Sequence, residues 1–385
     1  MSLNFILKNF QRRVKFKDKR KLLTLLNEIS KSEVPEFIKS FKKNYNYSYK
    51  KETLKKFKKF NNINIIGMGG SSLGTKAIYS FLSHKIKKNF YFLDNLRLKN
   101  IKKNKTLNII ISKSGNTLET ISNFNVVNNN HKNIFITENK NNYLMKLVKK
   151  LKSDVIEHKN FIGGRFSVLS EVGMLPAELM GLSEKKFKQF NQLIIKKKFI
   201  DCLIENVLST YDLIKKKKFN SVILNYDTKS EDFFKWYQQL ISESLGKQSK
   251  GIMPIISSMP KDNHSIMQLY LSGFGPNFYT FFIVEEKKSF KLKNEYLFEN
   301  YSFLKGKSTF DILNAQRIAT ENSFTRKKLP FRSFCIKKRN EKTMGELFCF
   351  FTLEVILLSH LMKVNPLNQP EVEMVKNETF KILKK

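Results

Sequence analysis

Ile63-Asn64-Ile65-Ile66-Gly67-Met68-Gly69-Gly70-Ser71-Ser72-Leu73-Gly74 is the stretch from which the fold can be read. A short β-branched run ends in glycines, and a helical pattern from Leu73 to Leu82 follows. Strand, glycine turn and helix in that order make a βα unit, and glycine lets the backbone turn tightly and approach a ligand. The helix N-terminus beyond the turn favours an anion. The spacing is neither G-x-x-x-x-G-K-[ST] nor a complete G-x-G-x-x-G, so a nucleotide is not the expected guest. Taken alone, the segment also reads as a tight turn that binds nothing.

The same grammar recurs on both sides. Asn89–Asp94 and Leu107–Ser112 are strand candidates, the second followed by a helix from about Thr117. Asn133–Thr137 is a further strand, leading into an amphipathic segment that runs through Leu151. Strands alternating with helices predict an α/β fold with parallel sheets. In the second half, Ser221–Tyr226 and Phe278–Glu285 read as strands, and Asp232–Leu245 as a helix that Gly246 stops. Thr343-x-x-Glu346 has the form of a capping box opening a mostly buried helix through Lys363. Pro370 suits the first position of a last helix. No Pro/Gly/Ser-rich linker and no repeat period separates these parts. The expectation is a helical N-terminal extension over 1–45, a first α/β unit over 46–200 and a second over 201–385 with C-terminal helices.

Composition narrows the partners. In 385 residues, 41% are hydrophobic, enough for a packed core. Lys and Arg number 71 against 33 Asp and Glu, a formal charge of +38. Only 9 of the 71 cations are Arg, whereas a nucleic-acid reader would lean on the bidentate guanidinium. Lys is spread along the chain, so incidental polyanion affinity is expected and a specific nucleic-acid partner is not. The three cysteines, Cys202, Cys335 and Cys349, form no C-x-x-C pair and suggest neither a disulfide framework nor a zinc site. His84, His131, His158 and His360 show no metal spacing. The N-terminus has no apolar stretch long enough for a signal peptide. The run Leu347–Met362 contains Thr352, Glu354, Ser359 and His360, and is too short and polar to span a bilayer. A cytoplasmic protein with no membrane partner is the expectation.

Several segments could carry chemistry. Ser112-Lys113-Ser114-Gly115-Asn116-Thr117 gathers three hydroxyls and a lysine at a helix start. That set suits a phosphate monoester, because separate donors can each meet a different oxygen; a plain N-cap is the alternative. Both loops lie at C-terminal strand ends, where open α/β sheets place ligands. In Gly163-Gly164-Arg165, an Arg in an Arg-poor chain hints at a fixed planar charge. Gln239 and Glu243 stand four apart on a helix and share a face. His264 follows Asp262 and can serve as acid or base. Asn365-Pro366-Leu367-Asn368-Gln369-Pro370 leads to Lys376, a single lysine among many.

Together and in this order, GMGGSSLG, SKSGNTLET, GGRFSVLSEVGMLP, ESLGK and NQPEVEMVK resemble the glucose-6-phosphate isomerase family over about residues 60 to 380. The resemblance implies two sugar-isomerase (SIS)-type subdomains, each a parallel sheet flanked by helices, usually assembled as a homodimer. It implies interconversion of glucose 6-phosphate and fructose 6-phosphate, with a phosphorylated hexose as partner and with no metal and no organic cofactor. Residue by residue, it assigns Ser112, Lys113, Ser114 and Thr117 to the phosphate, and Gly70 and Ser71 to the sugar end. Glu243 would move a proton between C2 and C1, and Arg165 would steady the cis-enediolate. His264, in the family often supplied by the neighbouring subunit, and Lys376 would open the ring. Gln239 and Gln369 would position the substrate. Asn368, Glu371 and Val375 depart from the family's usual Asp, Gly and Gly, which bears on the placement of Lys376. A non-catalytic phosphosugar-binding module and an isomerase that also takes mannose 6-phosphate are the alternatives.

Overall fold

The computed structural model describes residues 3–10, 16–32, 34–97, 106–127, 131–273, 275–286 and 289–385. The strands are β1 (Phe5–Lys8), β2 (Asn62–Ile66), β3 (Asn89–Leu93), β4 (Thr106–Ile111), β5 (Lys132–Thr137), β6 (Asp154–Glu157), β7 (Asn220–Asn225), β8 (Met253–Ser258), β9 (Asn277–Val284) and β10 (Phe331–Ile336). They form two five-stranded sheets, ordered β3-β2-β4-β5-β6 and β1-β10-β9-β7-β8. Every pairing is parallel except that of β1 with β10. The longer helices are α1 (Phe16–Ser32), α2 (Leu73–Phe81), α3 (Leu118–Val127), α4 (Tyr143–Leu151), α5 (Glu171–Leu179), α6 (Lys197–Lys215), α7 (Glu231–Leu245), α8 (Thr309–Arg326), α9 (Glu341–Met362) and α10 (Pro370–Leu383). The fold is α/β, with two parallel-sheet units flanked by helices, as the alternation of strands and helices predicts.

Side-chain alternation sorts each strand into two faces. Ile63, Ile65, Ile109 and Ile111 turn to one large core that also receives Phe282, Phe334 and Ile336 from the second sheet. Ile66, Ile110 and Phe135 turn the other way, onto Phe124 of α3 and Leu144 and Val148 of α4. Val222, Leu224, Tyr279 and Phe281 cover the far side of the second sheet together with Phe324 of α8. Against the second sheet, where Phe350 and Phe351 meet Phe334, lies α9; at 22 residues it is long and apolar enough to cross a membrane, which the shorter run Leu347–Met362 does not suggest, but it is buried in the core over nearly its whole span. In the first sheet, Asn64, Asn108 and Asn133 stand at the same level of β2, β4 and β5. The Asn64 amide donates to Asn108 Oδ1 at 2.9 Å, and the Asn108 amide to Asn133 Oδ1 at 3.0 Å. Buried amides paired in this way lock strand register, because a slip would leave them unsatisfied.

Two expectations change. The extension over 1–45 is not wholly helical, because Phe5–Lys8 adds an antiparallel edge strand to the second sheet. Phe5 there meets the rings of Phe334 and Phe350; so short an alternation is hidden beside the helical spacing that follows it. The helix over 341–362 opens not on a Thr343–Glu346 box but on Asn340, whose side chain caps the Thr343 amide at 2.9 Å. Asn is as good a cap as Thr or better. Glu346 instead accepts from the backbone and side-chain nitrogens of Asn4 at 2.9 and 3.0 Å, tying the N-terminal strand to α9.

A buried ionic group orients the second unit. Arg332 on β10 pairs with Glu354 of α9 and donates to Asn206 of α6 at 2.7 Å and Thr280 of β9 at 2.9 Å. Tyr237 of α7 donates its hydroxyl to the other Glu354 oxygen at 3.0 Å. One residue from each of five elements thus meets at a single charge pair. Glu354→Ala strands the guanidinium in the core, and the expected loss of unfolding free energy is about 3–5 kcal/mol, read from urea denaturation; a loss under about 1 kcal/mol would show the pair to be dispensable.

Candidate active site

Glycines bring three segments into contact. The loop after β2 passes so close to the turn at 163–169 that a Cβ on Gly70 would lie 2.1 Å from the Gly164 carbonyl carbon. Gly69, at φ +53°, leaves room for the Gln239 amide, which a Cβ there would meet at 2.8 Å. Ser167 donates to the Gly70 carbonyl at 3.2 Å and closes the contact. Behind the loop, α2 packs directly on α7, the helix that carries Gln239 and Glu243.

At this junction Arg165 directs all three guanidinium nitrogens to named partners. Nε donates to Ser244 Oγ at 3.0 Å, and Nη1 donates to Glu243 Oε2 at 2.9 Å and to Gln369 Oε1 at 2.7 Å. Nη2 donates to the carbonyls of Pro366 and Asn368 at 2.6 and 3.1 Å. Gln239 Nε2 reaches the other Glu243 oxygen at 2.9 Å. Exposure separates the roles: the Arg165 side chain is 2% exposed and that of Glu243 27%. The cation is fixed in place while the carboxylate remains reachable. Burial lowers the affinity of Arg165 for its proton, and the Glu243 charge opposes that shift; a guanidinium stays charged under both. Among the described residues, the buried Gln239 Oε1 atom has no partner. A carboxylate held between a fixed cation and an amide, beside a glycine loop, can exchange a proton with a carbon acid and meet the oxyanion that results.

The second loop leaves the neighbouring strand β4. Ser112 and Thr117 hydroxyls lie 2.8 Å apart, and the Ser112 oxygen accepts from the Gly115 amide at 3.2 Å. The Ser114 oxygen accepts from the Asn116 amide at 3.3 Å. Gly115 takes φ +69° directly against Asn142, the N-cap of α4, where a Cβ would come within 2.1 Å of its side chain. The Ser112 and Thr117 hydroxyls thus meet ahead of α3, with Ser114 exposed on the same loop. Lys113 turns its ammonium to the Asn160 carbonyl at 2.7 Å and lies 3.7 Å from Glu138. Burial holds Lys113 below the ordinary lysine value against the pull of Glu138, and Lys140 adds to the lowering.

Glu243, Arg165, Gln239, Gln369 and Gly70 are thus brought together, and Ser112, Ser114 and Thr117 form a second group on the adjacent strand end. Ser71 lies in the short turn Gly69–Ser71 on the glycine loop. His264 and Lys376 stand apart. His264 is exposed after β8, and among the described residues no hydrogen bond or ion pair joins it to Glu243. Its expected acidic partner is engaged elsewhere, since Asp262 accepts from the Ser258 amide and the Ser265 hydroxyl. Lys376 is exposed on α10 and paired with Glu373 at 2.7 Å. Of the departures from the family pattern, Asn368 serves Arg165 through its backbone carbonyl, which an Asp would offer equally. Glu371 and Val375 are exposed on α10. Sequence reasoning missed Ser244, whose hydroxyl oxygen is met by Arg165 from a distant turn, and the carbonyls at 366 and 368, because a backbone acceptor has no sequence signature. A cavity of about 720 Å³ opens between the end of α7 and the 365–372 segment, with Glu243, Lys247 and Gln369 in its wall.

Comparison with known proteins bears on this geometry. A family model described as phosphoglucose isomerase matches residues 27–253. The glucose-6-phosphate isomerase of Methanocaldococcus jannaschii is 33% identical over 359 residues, spanning 86% of this chain and 88% of that one. A solved glucose-6-phosphate isomerase from Chlamydia trachomatis superposes with a TM-score of 0.75 at 18% identity, covering 100% of this chain and 89% of the other. A hypothetical protein of Thermus thermophilus superposes at 0.80 with 23% identity, over 95% and 94% of the two chains. At those identities the two structures speak for the fold alone.

The contact at Gly70 is open to direct test. Gly70→Ala forces its loop away from Gly164, and the expected cost is about 1–3 kcal/mol of stability, as for other overpacked positions. Chemical denaturation beside Gly275→Ala, where among the described residues a Cβ has nothing within 4 Å, measures it; equal stability of the two variants would show that the loops do not need this approach.

Proposed function

The chain belongs to the phosphoglucose isomerase family, and from that membership we propose that it interconverts glucose 6-phosphate and fructose 6-phosphate with Glu243 as the base. The observation that carries the reading is the doubly held carboxylate: Arg165 Nη1 at one oxygen, Gln239 Nε2 at the other, and more than a quarter of the side chain still exposed. A C–H beside a carbonyl is a weak acid, so the base must be aimed at it and fixed charge must meet the oxyanion. In this reading Glu243 takes the proton from C2 of the open aldose. The electron pair moves into a C1–C2 double bond, and the carbonyl oxygen becomes the enediolate oxyanion, facing Arg165. Glu243 returns the proton to C1, and the proton on O2 passes to the O1 oxyanion, leaving a hydroxymethyl group at C1 and the ketose carbonyl at C2.

The phosphate falls to Ser112, Lys113, Ser114 and Thr117. The Ser112 and Thr117 hydroxyls meet ahead of α3, with Ser114 and Lys113 on the same loop, where a helix start favours an anion. Binding energy at that remote group orients the reacting carbons. Gly70 and Ser71 line the sugar, with Gln239 and Gln369 positioning it. Ring opening is assigned to His264 and Lys376. The exposure of His264, with no tie to Glu243 among the described residues, supports its delivery from a second copy in a homodimer. The α/β units at 46–200 and 201–385 then each provide part of one site, in a cytoplasmic enzyme of sugar phosphate metabolism.

A coupled assay with fructose 6-phosphate, without added metal, is expected to yield glucose 6-phosphate. Glu243→Gln should lower turnover about a thousandfold while the protein stays folded. Turnover in that variant near the level of the unaltered protein would reject the base, and sugar-phosphate binding without any turnover in the unaltered protein would favour a binding module.

A further inference from the structure

The segment Asn365–Gln369 crosses from α9 to α10 as a strap without helix or strand. Its polar groups are held by two cations. Arg165 takes the carbonyls of Pro366 and Asn368 and the side chain of Gln369. Lys247 takes the carbonyl of Asn365, and the same ammonium donates to the carbonyl of Ser244 in the last turn of α7 at 3.2 Å. Gly246 makes this possible: it ends α7 packed on the Ser242 carbonyl, where a Cβ would come to 2.6 Å. The chain then turns back through a bridge between Lys247 and Lys250. Lys250 donates to the Met362 carbonyl at 3.0 Å, at the end of α9 just before the strap.

From this arrangement we infer that Lys247 is a positioning residue for the proposed isomerisation: it fastens the strap to the end of the base-bearing helix, so that Gln369 and Arg165 stay aligned with Glu243. The inference rests on the isomerase reading for its kinetic consequence and on geometry alone for the fastening. Ser244 is the shared point, giving its carbonyl to Lys247 and its hydroxyl to Arg165. If the strap lifts at Asn365, the carbonyls that hold Nη2 of Arg165 move with it, and Nη1 loses its register between Glu243 and Gln369. The charged groups around the ammonium are Arg165 from its own turn, Glu243 from α7, Lys250 across the bridge and Glu371 at the start of α10, which shares the cavity wall. Burial, then Arg165, bring Lys247 down to about 8, against the pull of Glu243. Below that pH it holds the strap as an ammonium; above it, the charge-assisted bonds weaken. Arg at this position keeps its charge throughout.

The test compares the unaltered protein with Lys247→Met and Lys247→Arg. Amide hydrogen exchange over 365–370 needs no substrate, and Lys247→Met is expected to raise it at least tenfold while exchange in both sheets stays unchanged. The same variant should lower kcat/KM at least tenfold, and Lys247→Arg should restore it to within threefold. In the unaltered protein kcat/KM should fall above pH 8, and in Lys247→Arg that fall should vanish. Unchanged exchange in the strap, a kcat/KM within twofold for Lys247→Met, or one shared alkaline limb for the unaltered protein and Lys247→Arg would each overturn the assignment. If Lys247→Met does not fold, the alkaline limbs alone decide. Absence of isomerase activity in the unaltered protein would sink the proposed function, and the exchange data would still judge the strap.

Discussion

The buried guanidinium of Arg165 is the interaction on which the site depends. It comes from the turn between β6 and α5, yet its partners lie on α7 and on the strap before α10. A planar fork can satisfy a carboxylate, a hydroxyl, an amide oxygen and two carbonyls at fixed angles; a lysine ammonium, with three donors on one atom, cannot. The cost of removing such a charge from water is offset by these bonds. The turn that presents it must also pass within contact distance of the first glycine loop, which is why Gly70 faces Gly164 without a side chain on either.

Neither sheet makes the site alone. The first provides the two glycine-containing loops at the ends of β2 and β4, and the second unit provides the carboxylate through α7. The helix–helix contact of α2 with α7 sets the distance between them. Upstream on α7, Tyr237 is tied to the Arg332–Glu354 pair, so the rotation of the helix that aims Glu243 is set in the core of the second unit. A single helix thus joins that core to the candidate site.

Much of this was legible in the residues. Ile63–Gly74 and Leu107–Thr117 show their strand-to-helix transitions through β-branched runs that end in glycine or hydroxyl residues. Those transitions place both loops on the correct edge of the first sheet. Gly246 marks the end of α7 because no other residue fits against the Ser242 carbonyl. What stayed hidden was non-local. β1 is four residues long and depends for its existence on β10, more than three hundred positions away. Asn340 caps α9 in place of the more conspicuous Thr343. The proximity of Arg165 to the strap lies in backbone carbonyls, which every residue possesses. His264 and Lys376 were legible as chemistry, but not in position: nothing in a linear order of residues says which helix or which copy of the chain brings a side chain to a carboxylate.

The asparagine rungs across β2, β4 and β5 have a consequence for how the chain can misassemble. Each amide offers both a donor and an acceptor, so it satisfies a neighbour only when the two backbones stand level. A displaced pairing would seal hungry dipoles inside an oily slab, and the collapsing chain is penalised for every wrong alignment of these strands. The three residues act as a proofreading device, and the loops at the strand tips inherit their common height from it.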